Sequence, residues 1–349
     1  MSPATVEISP YQRIIRKTAR QQRLFSVLWE LTYRCNVKCS HCYLTRPESA
    51  EGELTTAEAR SVVDQLAELG ALHLTLTGGE VLLRKDFLDI ARYAREKGFA
   101  LRLLTNGSLI TASVADALRD LHLVGVEMSL LGAQSSTHDR LTGAAGSFER
   151  TLGAFRLLAE RGVHATVKTP LMNDNIGEFD QVRRLAGELG AAFRYDITIV
   201  PKDSGCACVL SHRLTDESLL NLFQRELPDR WVAPTVSPED HPCSAASNQL
   251  CINPYGDVFP CVQIRLSAGN VRVQSLGKIW SESPQLGEIR GLVEASFPVC
   301  STCRLRPYCV RCMGLGRLED GELSGPSSVA CREAALRRQV VLEREPSLD

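Results

Sequence analysis

An α/β fold built on a parallel sheet is what this 349-residue sequence predicts, and three observations predict it. Short β-rich apolar runs alternate with segments whose apolar residues recur at i, i+3 and i+4. The alternation repeats six times between residue 28 and about residue 200. Glycines stand where the helices have to stop. Strand-then-helix repeats of this kind bury a parallel sheet beneath helices. Six units fall short of the eight that close a full barrel, so the pattern allows either a partial barrel or a doubly wound sheet. In both, active-site residues belong at the C-terminal ends of strands.

The strand runs are VLWELT, LHLTL (72–76), ALRLL (100–104), VGVEMSL (124–130), HATVKT (164–169) and FRYDITIV (193–200). Helical segments between them include TAEARSVVDQLAEL (56–69) and SFERTLGAFRLLAER (147–161). Thr56 and Ser147 are the expected N-caps, with Glu58 and Glu149 in the first turns. Gly70, Gly98, Gly162 and Gly190 are the expected left-handed ends. This divides the chain into an N-terminal extension (1–27), a core (28–200), a linker (201–242) and a C-terminal domain (243–349). The linker holds the loop-like PKDSGCACVLSHRL, a short helical pattern and the proline-rich PDRWVAPTVSPEDHP. The last region has eight of the thirteen cysteines and little long periodicity, which predicts a domain organised by metal.

Composition narrows the function classes. The net charge is −1 with lysine and arginine spread along the chain, which gives no footprint for nucleic acid or an anionic membrane. No run of about 18 apolar residues is present, so no membrane span is expected. The basic N-terminus is not followed by an apolar segment with a cleavage site, so the expected compartment is the cytoplasm. In a reducing compartment, cysteines in short-spaced clusters point to metal rather than disulfides.

The first cluster, CNVKCSHCY, places Cys35, Cys39 and Cys42 in a loop leaving the first strand. Three thiolates can each bind a different iron of a [4Fe–4S] cube and leave the fourth iron free. The alternative is a zinc site with His41 as fourth ligand, although His41 lies between Cys39 and Cys42, where ring geometry is tight. The stretch LWELTYRCNVKCSHCYL resembles the signature of the radical S-adenosylmethionine (radical SAM) enzymes. LTGGE at the second strand end, LLTNGSLI at the third and VEMSLLGAQSSTHDRLTG at the fourth follow in the family's order.

The resemblance implies the partial (β/α)6 barrel of the TIM type. It also implies that Cys35, Cys39 and Cys42 hold a [4Fe–4S] cluster whose free iron chelates the amino and carboxylate groups of SAM. Backbone around Gly78 and Gly79, next to Glu80, would meet the amino group, glycine permitting close approach. Asn106 and Ser129 would contact ribose or carboxylate, with ordinary strand-end and turn chemistry as the alternative. His41 would pack near adenine, and Arg140 or Arg150 would pair with the carboxylate. The implied chemistry is one-electron cleavage of the sulfonium to a 5′-deoxyadenosyl radical that takes hydrogen from a substrate. A flavodoxin- or ferredoxin-type donor would supply the electron.

The second cysteine set reads Cys243-x12-Gly256-x4-Cys261, then Cys300-x2-Cys303-x5-Cys309-x2-Cys312, then Cys331. It resembles the SPASM extension, whose cysteines hold two auxiliary [4Fe–4S] clusters; the family more often has x3 before the position of Cys312. By that resemblance Cys300, Cys303, Cys309 and Cys331 would close one cluster. Cys243, Cys261 and Cys312 would hold the other, with an open iron or with Cys206 or Cys208 lent from the CAC loop. That C-x-C pair has two other readings, action on substrate or simple packing. Cys251 is expected to be packed. A pair of structural zinc sites is the alternative for the whole region.

The segments SLLGAQSSTHDRLTGAAGSFERT and KTPLMNDN…FRYDITIVPKDSG resemble those of peptide-maturing members, which favours a ribosomally made peptide or a protein as substrate. About 27 residues precede the first strand, which assigns leader recognition to a separate partner protein or to the barrel itself. The alternative is a small molecule, since the first third also resembles SPASM enzymes that trim tetrapyrrole side chains. A non-catalytic iron–sulfur or zinc scaffold is the remaining alternative.

Overall fold

The sheet opens with six parallel strands, β1 (Ser26–Thr32), β2 (His73–Gly78), β3 (Ala100–Thr105), β4 (Gly125–Ser129), β5 (Ala165–Pro170) and β6 (Ala192–Asp196). The computed structural model describes residues 9–45, 49–233 and 237–344; the ends of the expected N-terminal extension and C-terminal domain, and part of the linker, lie outside them. Each strand falls on one of the six apolar runs. Neighbours in space are neighbours in sequence, and β6 does not pair back onto β1. A doubly wound sheet reverses its strand order partway. These six strands do not, so the fold is the partial barrel.

Alternation along each strand divides the sheet into two faces. Trp29, Leu31, Leu74, Leu76, Leu101, Leu103, Val126, Met128 and Val167 are buried in one apolar cluster with helix residues such as Val63, Leu66, Ile90, Leu118 and Phe155. The concave face is polar, carrying Glu30, Thr77, Arg102, Glu127, Ser129, Lys168 and Asp196. Burial of the convex face holds the barrel together at about 25 cal/mol per Å² of apolar surface and frees the concave face for chemistry.

Helix ends differ from expectation by one residue in two places. The helix Thr56–Glu68 is capped by Thr55, which forms a reciprocal capping box with Glu58. Thr56 instead donates to Asp86 at 2.6 Å. At the helix Ser147–Glu160 the cap residue is Gly146, and Ser147 lies inside the helix. Its free N–H groups are met from the preceding helix: the Asp139 carboxylate accepts from Gly146 N–H, Phe148 N–H and the Ser147 hydroxyl. Gly70, Gly98, Gly162 and Gly190 all have positive φ, as their predicted role requires.

The cysteine-rich C-terminal segment is built onto the core sheet. Strand β7 (Gln249–Ile252) runs parallel to β1, with Ser26 opposite Gln249 and Trp29 opposite Ile252. Strands β8 (Asp257–Phe259) and β9 (Gly269–Asn270) follow antiparallel. Cys251 sits opposite Leu28 and is fully buried, the packed role expected of it. At the other edge, the helices Asp216–Glu226 and Ser328–Arg344 share an apolar cluster of Leu219, Leu222, Phe223 and Val340 with Leu171 and Phe179. Within the N-terminal extension a helix, Pro10–Arg20, lies at the N-terminal end of the barrel. Tyr11 packs on Phe25 and His73, and Asn248 donates to Ile15 O and Thr18 Oγ1. Among the described residues no helix is long and apolar enough to cross a membrane.

Candidate active site

The loop after β1 is shaped by the backbone before any metal is considered. Lys38 N–H donates to Thr142 O at 2.7 Å and Ser40 N–H to Leu141 O at 2.9 Å. Arg34 reaches Leu83 O, and Asn36 bridges Ser108 and Asn106. At its far end, Asp203 N–H donates to Tyr43 O while the Asp203 carboxylate accepts from Thr45 N–H. Cys35, Cys39 and Cys42, all half-buried, thereby line one end of a cavity of about 320 Å³ at the C-terminal ends of the strands.

The same cavity is lined by His41, Gly78, Gly79, Asn106 and Ser129, so these expected contacts converge with the three cysteines. Asn106 also sends Nδ2 to 4.0 Å from the Cys35 sulfur. Glu80 is not among the lining residues. It is fully buried behind the wall, where it accepts from Thr105 Oγ1, Asn106 N–H and Leu82 N–H. Desolvation raises its pKa, opposed by those three donors. Glu80 therefore positions the β2 and β3 ends rather than facing a ligand. The glycines also serve a close approach within the protein. A Cβ on Gly78 would stand 2.2 Å from Thr32 O, and one on Gly79 would stand 2.3 Å from Arg34 O. Their absent side chains let Gly79 N–H and Glu80 N–H donate to Thr32 O and Arg34 O, seaming β2 to the start of the cysteine loop. Arg140 and Arg150 are both outside the cavity: Arg140 pairs with Asp174, and Arg150 donates to Ala145 O.

Several lining residues went unnoticed in the sequence. Glu127, Lys168 and Asp196 occupy the concave face, and Gln263 enters from the C-terminal segment. The signal was present: a charge in the middle of an otherwise apolar parallel strand has to face a lumen. Arg102 pairs with Glu127, and β-register puts Ser129 beside Lys168 and Pro170 beside Asp196. His138 is buried in the wall, its Nδ1 accepting from Leu131 N–H at 3.1 Å. Burial lowers its pKa from 6.5 to about 4, against a small opposing pull from Asp139. Between those values the unfolded chain binds a proton that the folded chain does not, so stability falls as pH drops below 6.5. From pH 6.5 to about pH 5 the loss amounts to about 2 kcal/mol. His138→Gln keeps an acceptor for Leu131 and does not titrate, so denaturant unfolding of that variant should show a flatter profile across this window.

Beside the cavity, a buried carboxylate joins the cysteine loop to the C-terminal segment. Glu30 on β1 is fully buried and forms a two-pronged pair with Arg265, both contacts at 2.9 Å. It also accepts from Tyr43 OH at 2.7 Å and Tyr33 OH at 2.9 Å. Burial alone would lower the Arg265 pKa; the hydrogen bonds and charge of Glu30 outweigh it and raise it. Desolvation and then Glu30 raise both tyrosines.

The remaining cysteines fall into two sets. Desolvation raises the Cys243 and Cys261 thiols, with Cys261 pushed up to about 12, and Cys312 adds repulsion to both. Desolvation likewise pushes Cys309 up to about 11, with Cys331 and Cys300 adding to it, while Cys300 and Cys303 add to Cys331. Cys206 and Cys208 are joined to each other in an exposed disulfide. In that form neither has a thiolate to lend to the Cys243 group; a reducing compartment returns both thiols. Among the described residues no three His, Cys, Asp or Glu side chains converge on one point as ligands of a single ion would. Three thiols lining one end of a cavity suit separate irons of one cluster, and so the donor set fits.

Residues 29–186 match the radical SAM superfamily, and residues 243–304 match an iron–sulfur cluster-binding domain, SPASM. The AdoMet-dependent heme synthase of Methanosarcina barkeri (strain Fusaro / DSM 804) is 30% identical over 315 residues, covering 82% of this chain and 90% of that one. The chain is a radical SAM–SPASM enzyme. Its cofactors are accordingly a [4Fe–4S] cluster, SAM and auxiliary iron–sulfur. The radical SAM–SPASM enzyme is also similar to the PqqA peptide cyclase of Rhizobium meliloti (strain 1021), 29% identical over 92% of this chain and 90% of that one. Streptococcus suis SuiB bound to its precursor peptide SuiA shares the fold, with a TM-score of 0.69 at 15% identity, over 95% of this chain and 84% of that one. Its relatives thus divide between a heme synthase and peptide-modifying proteins.

Proposed function

We propose that this enzyme modifies a residue of a ribosomally made peptide or a protein by hydrogen abstraction. One observation carries the choice between relatives: among the described residues lining the cavity there is no arginine, and the one lysine, Lys168, is accompanied by two carboxylates, Glu127 and Asp196. Haem and its precursors are flat rings bearing several carboxylates, which call for several cations. A peptide offers amide donors and acceptors, which Thr77, Asn106, Ser129, Thr198 and Gln263 suit.

In this reading Cys35, Cys39 and Cys42 hold the catalytic cluster, and bound cluster and SAM together supply reductive cleavage of SAM. His41, Gly78, Gly79, Asn106 and Ser129 surround SAM, with Glu80 and the Thr32–Gly79 seam fixing them. Cys243, Cys261 and Cys312 hold one auxiliary [4Fe–4S] cluster; Cys300, Cys303, Cys309 and Cys331 hold a second. The enzyme works in a reducing cytoplasm with a flavodoxin- or ferredoxin-type donor, and the peptide is recognised by a separate partner protein or by the barrel itself.

The test is anaerobic turnover of the reconstituted enzyme with SAM and reductant, using short peptides encoded beside its gene and, in parallel, a propionate-bearing iron porphyrin. The expected result is 5′-deoxyadenosine formed together with a mass change in a peptide. Turnover of the porphyrin alone overturns the peptide reading and favours the chemistry named for the M. barkeri relative.

A further inference from the structure

The turn Cys261–Ile264 lies between the catalytic cavity and the Cys243, Cys261 and Cys312 thiols. Ile264 N–H donates to the Cys261 carbonyl at 3.2 Å. The turn leaves the Gln263 side chain with two neighbours. On one side it lines the cavity with Ser129 and Lys168. On the other its Oε1 accepts the Cys312 S–H at 2.9 Å. Gly314, in the helix Met313–Asp320 that Cys312 precedes, makes room for this contact: a Cβ there would stand 2.8 Å from Gln263 Cβ and 3.0 Å from its carbonyl carbon. Among the described lining residues, Gln263 is the one contributed by the C-terminal segment.

A cysteine that ligates iron does so as a thiolate and has no S–H to give. The Gln263 amide carries an acceptor and two donors at its end, so a half-turn about its last bond replaces Oε1 with Nε2 and lets the sulfur accept. Hydrogen bonds to ligating sulfur stabilise the more negative, reduced cluster and raise its potential.

We propose that Gln263 is the positioning residue through which the cavity and the auxiliary centre touch: its amide donates to the Cys312 thiolate and holds up that centre's reduction potential. Any group entering the cavity at this wall then meets the same amide. The inference rests on the reading that Cys243, Cys261 and Cys312 bind an iron–sulfur cluster.

The test uses a Cys35→Ala/Cys39→Ala/Cys42→Ala parent, which retains the auxiliary cysteines alone. Iron and sulfide are counted, and the reduction of each auxiliary component is followed by electron paramagnetic resonance during a redox titration. Gln263→Leu removes the amide; Gln263→Glu keeps its size but removes the donor. The expected result in both is a shift of one auxiliary component to lower potential, with the other component and the iron content unchanged. A parent that holds no auxiliary iron overturns both the cluster reading and this inference. Auxiliary clusters whose potentials match the parent's in both variants overturn the Gln263 assignment alone.

Discussion

Glu30→Ala should cost more stability than any other single substitution around this site. The carboxylate is fully buried and answers four groups at once, two N–H groups of Arg265 and the hydroxyls of Tyr33 and Tyr43. Removing one partner of a buried ion pair costs about 3–5 kcal/mol, because the other charge is left desolvated and unanswered. Two tyrosine hydroxyls lose acceptors as well, at about 1–3 kcal/mol for each one left unsatisfied. Against a total stability of about 5–15 kcal/mol, this brings the fold near its limit. The damage should also reach function, since Tyr43 follows Cys42 and Arg265 lies two residues beyond Gln263. A double variant, Glu30→Met with Arg265→Met, removes both charges and should recover much of the loss. Denaturant midpoints of the three proteins decide the matter. A Glu30→Ala chain that unfolds at the wild-type midpoint overturns this account, as does a double variant no more stable than the single.

How much of this was legible in the sequence depends on whether the determinant is local. The six strands were readable because each has its own apolar run, and the glycine helix ends because a left-handed residue is a local requirement. The cysteine loop was readable from its spacing. What escaped was set by contacts across long separations. Glu30 and Arg265 are 235 residues apart and look like ordinary surface charges until β7 brings the C-terminal segment beside β1. Thr56 looked like a cap, and only the pairing of its hydroxyl with Asp86, 30 residues away, explains why Thr55 takes the role. Glu80 shows the limit of motif reading: its place in LTGGE was plain, yet which side of the wall it faces is decided by Thr105 and Asn106. The charges on β3 to β6 were visible and under-used. Strict alternation would have assigned Glu127, Lys168 and Asp196 to the lumen without any structure.

Cys35→Ala should give the opposite balance, with activity lost and the fold kept. The loop that carries Cys35, Cys39 and Cys42 is held by backbone hydrogen bonds to Thr142, Leu141, Thr32 and Arg34 carbonyls, none of which uses a sulfur. Losing one half-buried thiol therefore leaves the cradle in place. The chemistry has no such redundancy, since with three thiolates for four irons each one removed exposes a further corner of the cluster. The variant should contain about four fewer irons than the wild type, and its production of 5′-deoxyadenosine from SAM should fall below detection. Cys251→Ala supplies the contrast. That thiol is fully buried in β7 against β1, so its loss should lower the unfolding midpoint while leaving iron content unchanged. Iron counting, deoxyadenosine release and the midpoint, measured on both proteins, separate ligand from packing. If Cys35→Ala keeps its full complement of iron and still cleaves SAM, the three cysteines of this loop do not hold the catalytic cluster. Loss of iron from Cys251→Ala would instead make the strand thiol a ligand, and the vacancy in the Cys243, Cys261 and Cys312 set would be filled from the core sheet.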